Sequence, residues 1–349
     1  MSPSHMNILI LGHAGYIGPV LIDQLIQNKK YSLKGIDTQY FKKKNLFKNN
    51  KYKKLENVVK DVRKISKSDL TNIDVIVYLA AISNDPMGNK FEKITQEINY
   101  KSAIKIAKLA RENGVKKFVF ASSCSMYGFT SNLPKTERST LNPLTAYAKS
   151  KVLAEKKLKK LSNSKFNVVC LRFATACGYS KNIRLDLVLN DFVASAVANK
   201  KVVVLSDGSP WRPLIHVKDM ARAINWAIEQ KINNYFLAIN TGSNSMNYQI
   251  KDIAKKVGEL TKGVKVYINS SALPDKRSYK VNFSKFEKMN KKFKPIYTLE
   301  KSIMDLKNNY KKDKFKLKNF RNSKYIRLKV LEKLISKRFL NSSLYWNKI

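Results

Sequence analysis

A tyrosine and a lysine stand four residues apart in Tyr147-Ala148-Lys149-Ser150-Lys151. On a helix that spacing puts both side chains on one face. An ammonium beside a phenol favours the phenolate, so such a tyrosine can exchange a proton with a substrate hydroxyl near neutral pH. In isolation the pair is a common feature of exposed helices, and its meaning depends on what precedes it. Here it follows Phe118 to Ser123, a strand-like run ending in Ser122 and Ser123, whose hydroxyls could share the proton of the substrate oxygen. A second constellation is Gly12-His13-Ala14-Gly15-Tyr16-Ile17-Gly18. Glycines at Gly12, Gly15 and Gly18 permit a tight turn, a close approach of backbone to a pyrophosphate and close helix–sheet contact, with a helix N-terminus facing the anion. Asp37 stands nineteen residues past Gly18. A carboxylate there accepts hydrogen bonds from the ribose hydroxyls of NAD and repels the 2′-phosphate of NADP; its alternative role is that of a turn residue.

These residues need a scaffold, and the hydrophobic pattern supplies one. Asn7 to Leu11 reads as a strand, and Val20, Leu21, Leu25 and Ile26 recur at helical spacing after the glycines. Further strands are expected at Tyr31 to Ile36, Val58 to Asp61, Val75 to Ala81, Lys117 to Ser122 and Asn167 to Phe173. Helices are expected at Asn99 to Asn113 and from about Thr145 to Leu161. This alternation predicts an α/β fold, a Rossmann-type doubly wound parallel sheet with a smaller C-terminal substrate-binding region. The expected division is a dinucleotide-binding domain over 6–176, with 217–242 returning to it, and a substrate-holding region over 177–216 and 243–310. A basic C-terminal arm follows over 311–349, in which Leu328, Leu331, Leu334 and Ile335 mark an amphipathic helix over Arg327 to Ile335. We read the arm as docked on the domain in preference to a polyanion-binding tail. Residues 1–5 read as an expression scar ahead of a native start at Met6.

Bulk properties narrow the class. With 349 residues, 44% of them hydrophobic, the chain can bury a large core, which argues against a disordered protein. Three cysteines, Cys124, Cys170 and Cys177, form neither a disulfide framework nor a metal-ligand pattern, so no metal is expected and a reducing compartment fits. No apolar run approaches the roughly 18 residues of a membrane helix and no leader pattern precedes Met6, so a cytoplasmic protein without membrane partners is expected. The formal charge of +43 attracts polyanions in principle. Its lysines are spread along the whole chain and mixed with asparagines, which points to compositional bias; no specific nucleic-acid partner is expected.

Over about Met6 to Tyr310 the sequence carries, in order, Gly12 to Gly18, Asp37, Asp61-Val62, Leu79-Ala80-Ala81, Asn99, Ser122-Ser123-Cys124-Ser125-Met126-Tyr127-Gly128, Tyr147 with Lys151, and Trp211-Arg212-Pro213-Leu214-Ile215-His216-Val217. In this it resembles the extended short-chain dehydrogenases, the NAD-dependent epimerase/dehydratase group. The resemblance implies that Gly12, Gly15, Tyr16, Ile17 and Gly18 surround NAD with Asp37, that Asp61 and Val62 contact the adenine, and that Leu79 to Ala81 lie along the cofactor. It further implies that Asn99, Ser122 and Lys151 support the nicotinamide half, and that Ser123, Tyr147 and Lys151 are catalytic. For a nucleotide-sugar substrate it points to Ser83, Asn84, Ser123, Cys124, Ser125 and Thr175 around the sugar, and to Asn190 at the nucleotide. Arg212 and Arg277 are then diphosphate clamps, a role that suits a guanidinium fork. Asn84 and Asp85 could equally cap the next turn, and His216 reads as structural or pocket-lining in preference to a metal ligand. Family dehydratases carry Asp-Glu where this chain has Cys124-Ser125, which disfavours dehydration, and many relatives have asparagine where it has Thr175. The resemblance implies a homodimer built from the helices that carry Asn99 and Tyr147. The activity it implies is C4 epimerisation of a UDP-, dTDP- or GDP-hexose by transient oxidation; a 4-dehydrogenase or 4-ketoreductase uses the same residues. A non-catalytic NAD-binding or polyanion-binding protein remains the reading from another class, and the intact Ser123, Tyr147 and Lys151 argue against it.

Overall fold

Apolar runs with no polar alternation become strands buried on both faces. In the computed structural model, which describes residues 5–41, 46–129, 133–269, 271–272 and 278–347, they form a seven-stranded parallel sheet. Its strands are β1 (Met6–Leu11), β2 (Tyr31–Asp37), β3 (Leu55–Val59), β4 (Val75–Tyr78), β5 (Lys117–Ser123), β6 (Asn167–Phe173) and, after an excursion, Phe236–Thr241. The spatial order is β3-β2-β1-β4-β5-β6 followed by Phe236–Thr241, with Ile10 opposite both Gly35 and Val77. From β1 the chain steps outward through β2 and β3, then crosses to β4 and steps the other way. Between β1 and β4 the order therefore reverses, and in such sheets the crevice beyond the carboxyl ends of the strands at that point receives ligands. The sequence-based strand over Val75 to Ala81 stops at Tyr78, because Leu79 to Ala81 turn along that crevice.

Two apolar cores flank the sheet. One packs Leu21, Ile22 and Leu25 with Ile224, Trp226 and Ile228, which places the Gly18–Leu25 helix beside the Val217–Glu229 helix. The other joins Ile106, Ala107 and Ala110 to Ala154 and Leu158 of the Ala146–Leu161 helix. A third core, drawn from residues 177 onward, includes Leu189, Val193, Leu214, Ile253, Ile303 and Phe320. It underlies two small sheets, one of Thr175–Cys177, Trp211–His216 and Asn247–Gln249, the other of Lys201–Val204 and Lys265–Ile268. Part of the 243–310 segment belongs to the large body: Tyr279, Val281, Phe283 and Phe286 pack into the first sheet core, and Phe286 meets Trp226 edge to face at 5.4 Å. The basic arm is docked, with Leu331, Leu340 and Leu344 in the second sheet core. Among the described residues, no helix is long and apolar enough to cross a membrane.

Candidate active site

The glycine loop leaves β1 at the crevice. Gly12 has φ +85°, and a Cβ there would lie 2.6 Å from the Ala80 backbone nitrogen, so loop and β4 exit interlock only without a side chain. A Cβ on Gly18 would run into the His13 carbonyl, and Pro19 starts the helix with its φ already set. Asp37, at the end of β2, accepts hydrogen bonds from the backbone amides of Ala14 at 3.1 Å and Gln39 at 2.6 Å, while burial pushes its carboxyl up. Bare backbone beside a helix N-terminus, with a carboxylate at the ribose position, fits a dinucleotide without a 2′-phosphate.

At the other end, the Thr145 hydroxyl accepts from the Ala148 amide at 3.2 Å and fixes where the Ala146–Leu161 helix begins. That start puts Tyr147 in the first turn and Lys151 one turn on. Gly88 lets the Asp85–Lys90 helix close onto Tyr147, whose Cβ would be 3.4 Å from an added Cβ. The Lys151 ammonium donates to the Ala121 carbonyl at 2.7 Å and lies 5.6 Å from the centre of the Tyr147 ring. Burial dominates both groups. It pushes the phenol up to about 12, opposed by a hydrogen bond with the Ser123 hydroxyl and by the Arg184 charge, and it pulls the lysine down to about 7. In the cofactor-free protein, burial thus opposes charge on both groups.

One cavity of about 480 Å³ joins the two ends. Its walls include Gly12, Gly15, Tyr16 and Ile17 of the glycine loop, then Asp37, Asp61 and Val62, and Leu79, Ala80 and Ala81 after β4. Ser122, Ser123, Tyr147 and Lys151 line it, as do Ser83, Asn84, Ser125, Thr175 and Arg212. Four expected residues do not. Gly18 serves loop packing. Asn99, in the π-helical turn Glu97–Ser102, donates to the Ile82 carbonyl and accepts from its amide, at 3.0 and 2.9 Å, so it braces the cleft wall from behind. The Cys124 thiol is fully buried and donates to the Arg172 carbonyl at 3.0 Å. Asn190, placed at the nucleotide by resemblance, is fully buried too: it accepts from the Gly178 amide at 2.9 Å and donates to the Arg184 carbonyl at 2.9 Å, which ties a loop together. Arg277 lies outside the described residues. Asn84 does both things expected of it, lining the cavity and accepting from the Met87 amide at 2.9 Å as a helix cap. His216 pairs with Asp305 at 3.1 Å and stacks on Tyr297 at 3.8 Å, a structural arrangement.

Sequence reasoning missed Arg184, Asp186, Tyr279 and Arg327, which also line the cavity. Arg184 donates to Ser83 at 2.9 Å and grips Asp186, which also accepts from Asn84 at 2.7 Å. In a chain with 68 lysines and arginines no spacing marks these two arginines out.

A family model, the NAD dependent epimerase/dehydratase family, matches residues 8–239. The putative UDP-glucose 4-epimerase of Methanocaldococcus jannaschii is 29% identical over 255 residues, which cover 71% of this chain and 81% of that protein. The UDP-glucose 4-epimerase of Streptococcus mutans is 26% identical over 274 residues, 72% of this chain and 81% of that one. Among solved structures, the UDP-N-acetylglucosamine 4-epimerase from Methanobrevibacter ruminantium, in complex with UDP-N-acetylmuramic acid, has the same fold, with a TM-score of 0.76 at 22% identity over 88% of this chain and all of that one. With the glycine loop, Asp37 and the Ser123–Tyr147–Lys151 grouping on one crevice, and a family match over well more than half of its length, the chain belongs to the NAD-dependent epimerase/dehydratase family of enzymes.

Proposed function

We propose that this enzyme epimerises a nucleotide-sugar at C4 through transient oxidation. The observation that carries the reading is that Tyr147 and Ser123 line the same cavity as the glycine loop and Asp37. When bound, NAD supplies the acceptor and later the donor of hydride at the sugar carbon, together with a positive charge that draws the phenol toward ionisation. Tyr147 takes the proton of the C4 hydroxyl, and Ser123 shares that oxygen's hydrogen bonding. Lys151 holds its ammonium against the Ala121 carbonyl, near the phenol. The 4-keto sugar stays in the site, turns over, and regains its proton from Tyr147 as it is reduced on the other face. Arg212, on the small sheet, is the candidate partner for the substrate diphosphate.

Dehydration needs an acid and a base beside C5 and C6 of the sugar. Cys124 is sealed beneath β5, and burial pushes its thiol up, so it serves as neither. That the relatives described above are named as 4-epimerases supports the choice of reaction and makes UDP-hexoses the first probes. The test is incubation with UDP-, dTDP- and GDP-hexoses, following sugar isomers and NADH together. Isomerisation without net NADH is expected, and stoichiometric NADH would instead indicate a 4-dehydrogenase. Tyr147→Phe should lower turnover about 10²–10⁴-fold with NAD affinity retained; undiminished turnover overturns the assignment.

A further inference from the structure

The C-terminal arm returns to the dinucleotide end of the cavity, far along the chain from the glycine loop. The Arg327–Ser336 helix seats Leu331 in the sheet-domain core, and the segment after it meets residues that follow β2 and β3. There Trp346 Nε1 donates to the Thr38 carbonyl at 2.8 Å, the Tyr40 hydroxyl donates to the Leu344 carbonyl, and Arg63 Nη1 donates to the Ser343 carbonyl at 2.7 Å. The Arg63 guanidinium, 3.6 Å from the centre of the Tyr345 ring, also grips Asp61 at 2.7 Å. Thr38, Tyr40 and Asp61 line the cavity while residues 343–346 do not, so this part of the arm braces the wall from outside.

Arg327 differs from these neighbours because it faces into the cavity. It is only 3% exposed, its Nη2 donates to the Asn182 carbonyl at 3.1 Å, and its guanidinium sits 4.2 Å from the centre of the Phe41 ring. Asn182 in turn donates to the Ala14 carbonyl of the glycine loop at 2.6 Å, which places Arg327 one residue away from that loop. Two carboxylates influence it, and both are committed elsewhere: Asp186 to Arg184 at 2.9 Å, and Asp37 to the amides of Ala14 and Gln39. Burial, with the charge of Arg184 next, pulls the Arg327 guanidinium down to about 9. A buried guanidinium that faces a cavity without a carboxylate of its own is costly unless an anion enters beside it.

We propose that the arm completes the cofactor site, with Arg327 supplying the cation that faces the dinucleotide's diphosphate and residues 343–346 bracing the adenosine-side wall. This rests on NAD being the ligand of the cavity. The family model ends at residue 239, well before the arm begins. The test is equilibrium binding of NAD, NADP, ADP and adenosine to the full-length chain and to its Arg327→Gln and Arg327→Lys variants. Arg327→Gln should weaken NAD and ADP roughly ten- to a hundredfold, as expected for loss of a charged hydrogen-bond partner, and flatten the salt dependence of NAD binding. Adenosine should bind as before, and Arg327→Lys should recover most of the loss. Unchanged NAD affinity in Arg327→Gln overturns the proposal, as does an equal loss for adenosine, which would mean a merely structural role. A loss confined to NADP overturns it too, by assigning Arg327 to a 2′-phosphate. If the unmodified chain binds no dinucleotide, the cofactor reading falls first and the proposal with it.

Discussion

Lys151 offers a stability test that needs no substrate. Its ammonium is buried against the Ala121 carbonyl and the Phe120 ring, with Glu155 on its own helix and Cys170 on β6 as the titratable groups that act on it. Burial lowers it from 10.5 to about 7, which corresponds to a penalty of roughly 5 kcal/mol against the charged form. Below pH 7 the folded and unfolded chains both hold the proton and the penalty is complete. Between about pH 7 and 10.5 the unfolded chain keeps the proton that the folded chain has lost, so the folded state gains stability as pH rises, by about 1.4 kcal/mol per pH unit. Above that window Lys151 contributes nothing. Urea denaturation of cofactor-free protein and of Lys151→Met across the window should therefore give a difference that grows in favour of the unmodified chain by about 5 kcal/mol. Groups that do not interact with Lys151 titrate alike in both proteins and cancel in the difference. Parallel stability curves for the two proteins would show that the amine remains solvated and would refute the burial argument.

Two further substitutions probe the scaffold. Gly12→Ala places a Cβ 2.6 Å from the Ala80 nitrogen at a φ of +85°, so NAD affinity and thermal midpoint should fall together, with about 1–3 kcal/mol lost from stability; a calorimetric scan and NAD titration matching the parent would contradict the interlock. Glu155 accepts three hydrogen bonds from Arg172, at 3.1, 3.1 and 2.7 Å, and one from Ser122 at 2.6 Å, so Glu155→Gln should cost about 3–5 kcal/mol by leaving a guanidinium buried without its carboxylate. A cost below about 1 kcal/mol in urea would mean that solvent reaches Arg172.

The sheet was readable because its central strands are buried on both faces and so appear as unbroken apolar runs: Asn167 to Phe173 was delimited to the residue, and the helix carrying Tyr147 to within one. The strand–glycine–helix turn was readable for a different reason, since Gly12 and Gly18 occupy positions where a side chain collides with backbone. Protonation was not readable. The one-turn spacing of Tyr147 and Lys151 was visible, yet the tertiary burial that opposes charge on both was not. Cys124 and Asn190 show how motif position can mislead, because a residue in register with a ligand-binding site can still turn inward to satisfy backbone groups. Arg184 comes from a loop without a periodic signal, and the helical period after Arg327 marks a helix but not the cavity it faces; only the folded chain brings both to the crevice.

The junction of the arm with the β2–β3 side also bears on how the molecule is made. Thr38 and Tyr40 meet partners about three hundred positions later in the sequence, so the wall just past the end of β2 stays unfinished until that distant segment folds back onto it. Cutting the chain ahead of residue 343 would then leave most secondary structure in place while loosening a wall built around Thr38, Tyr40 and Arg63. The damage would appear far from the lesion.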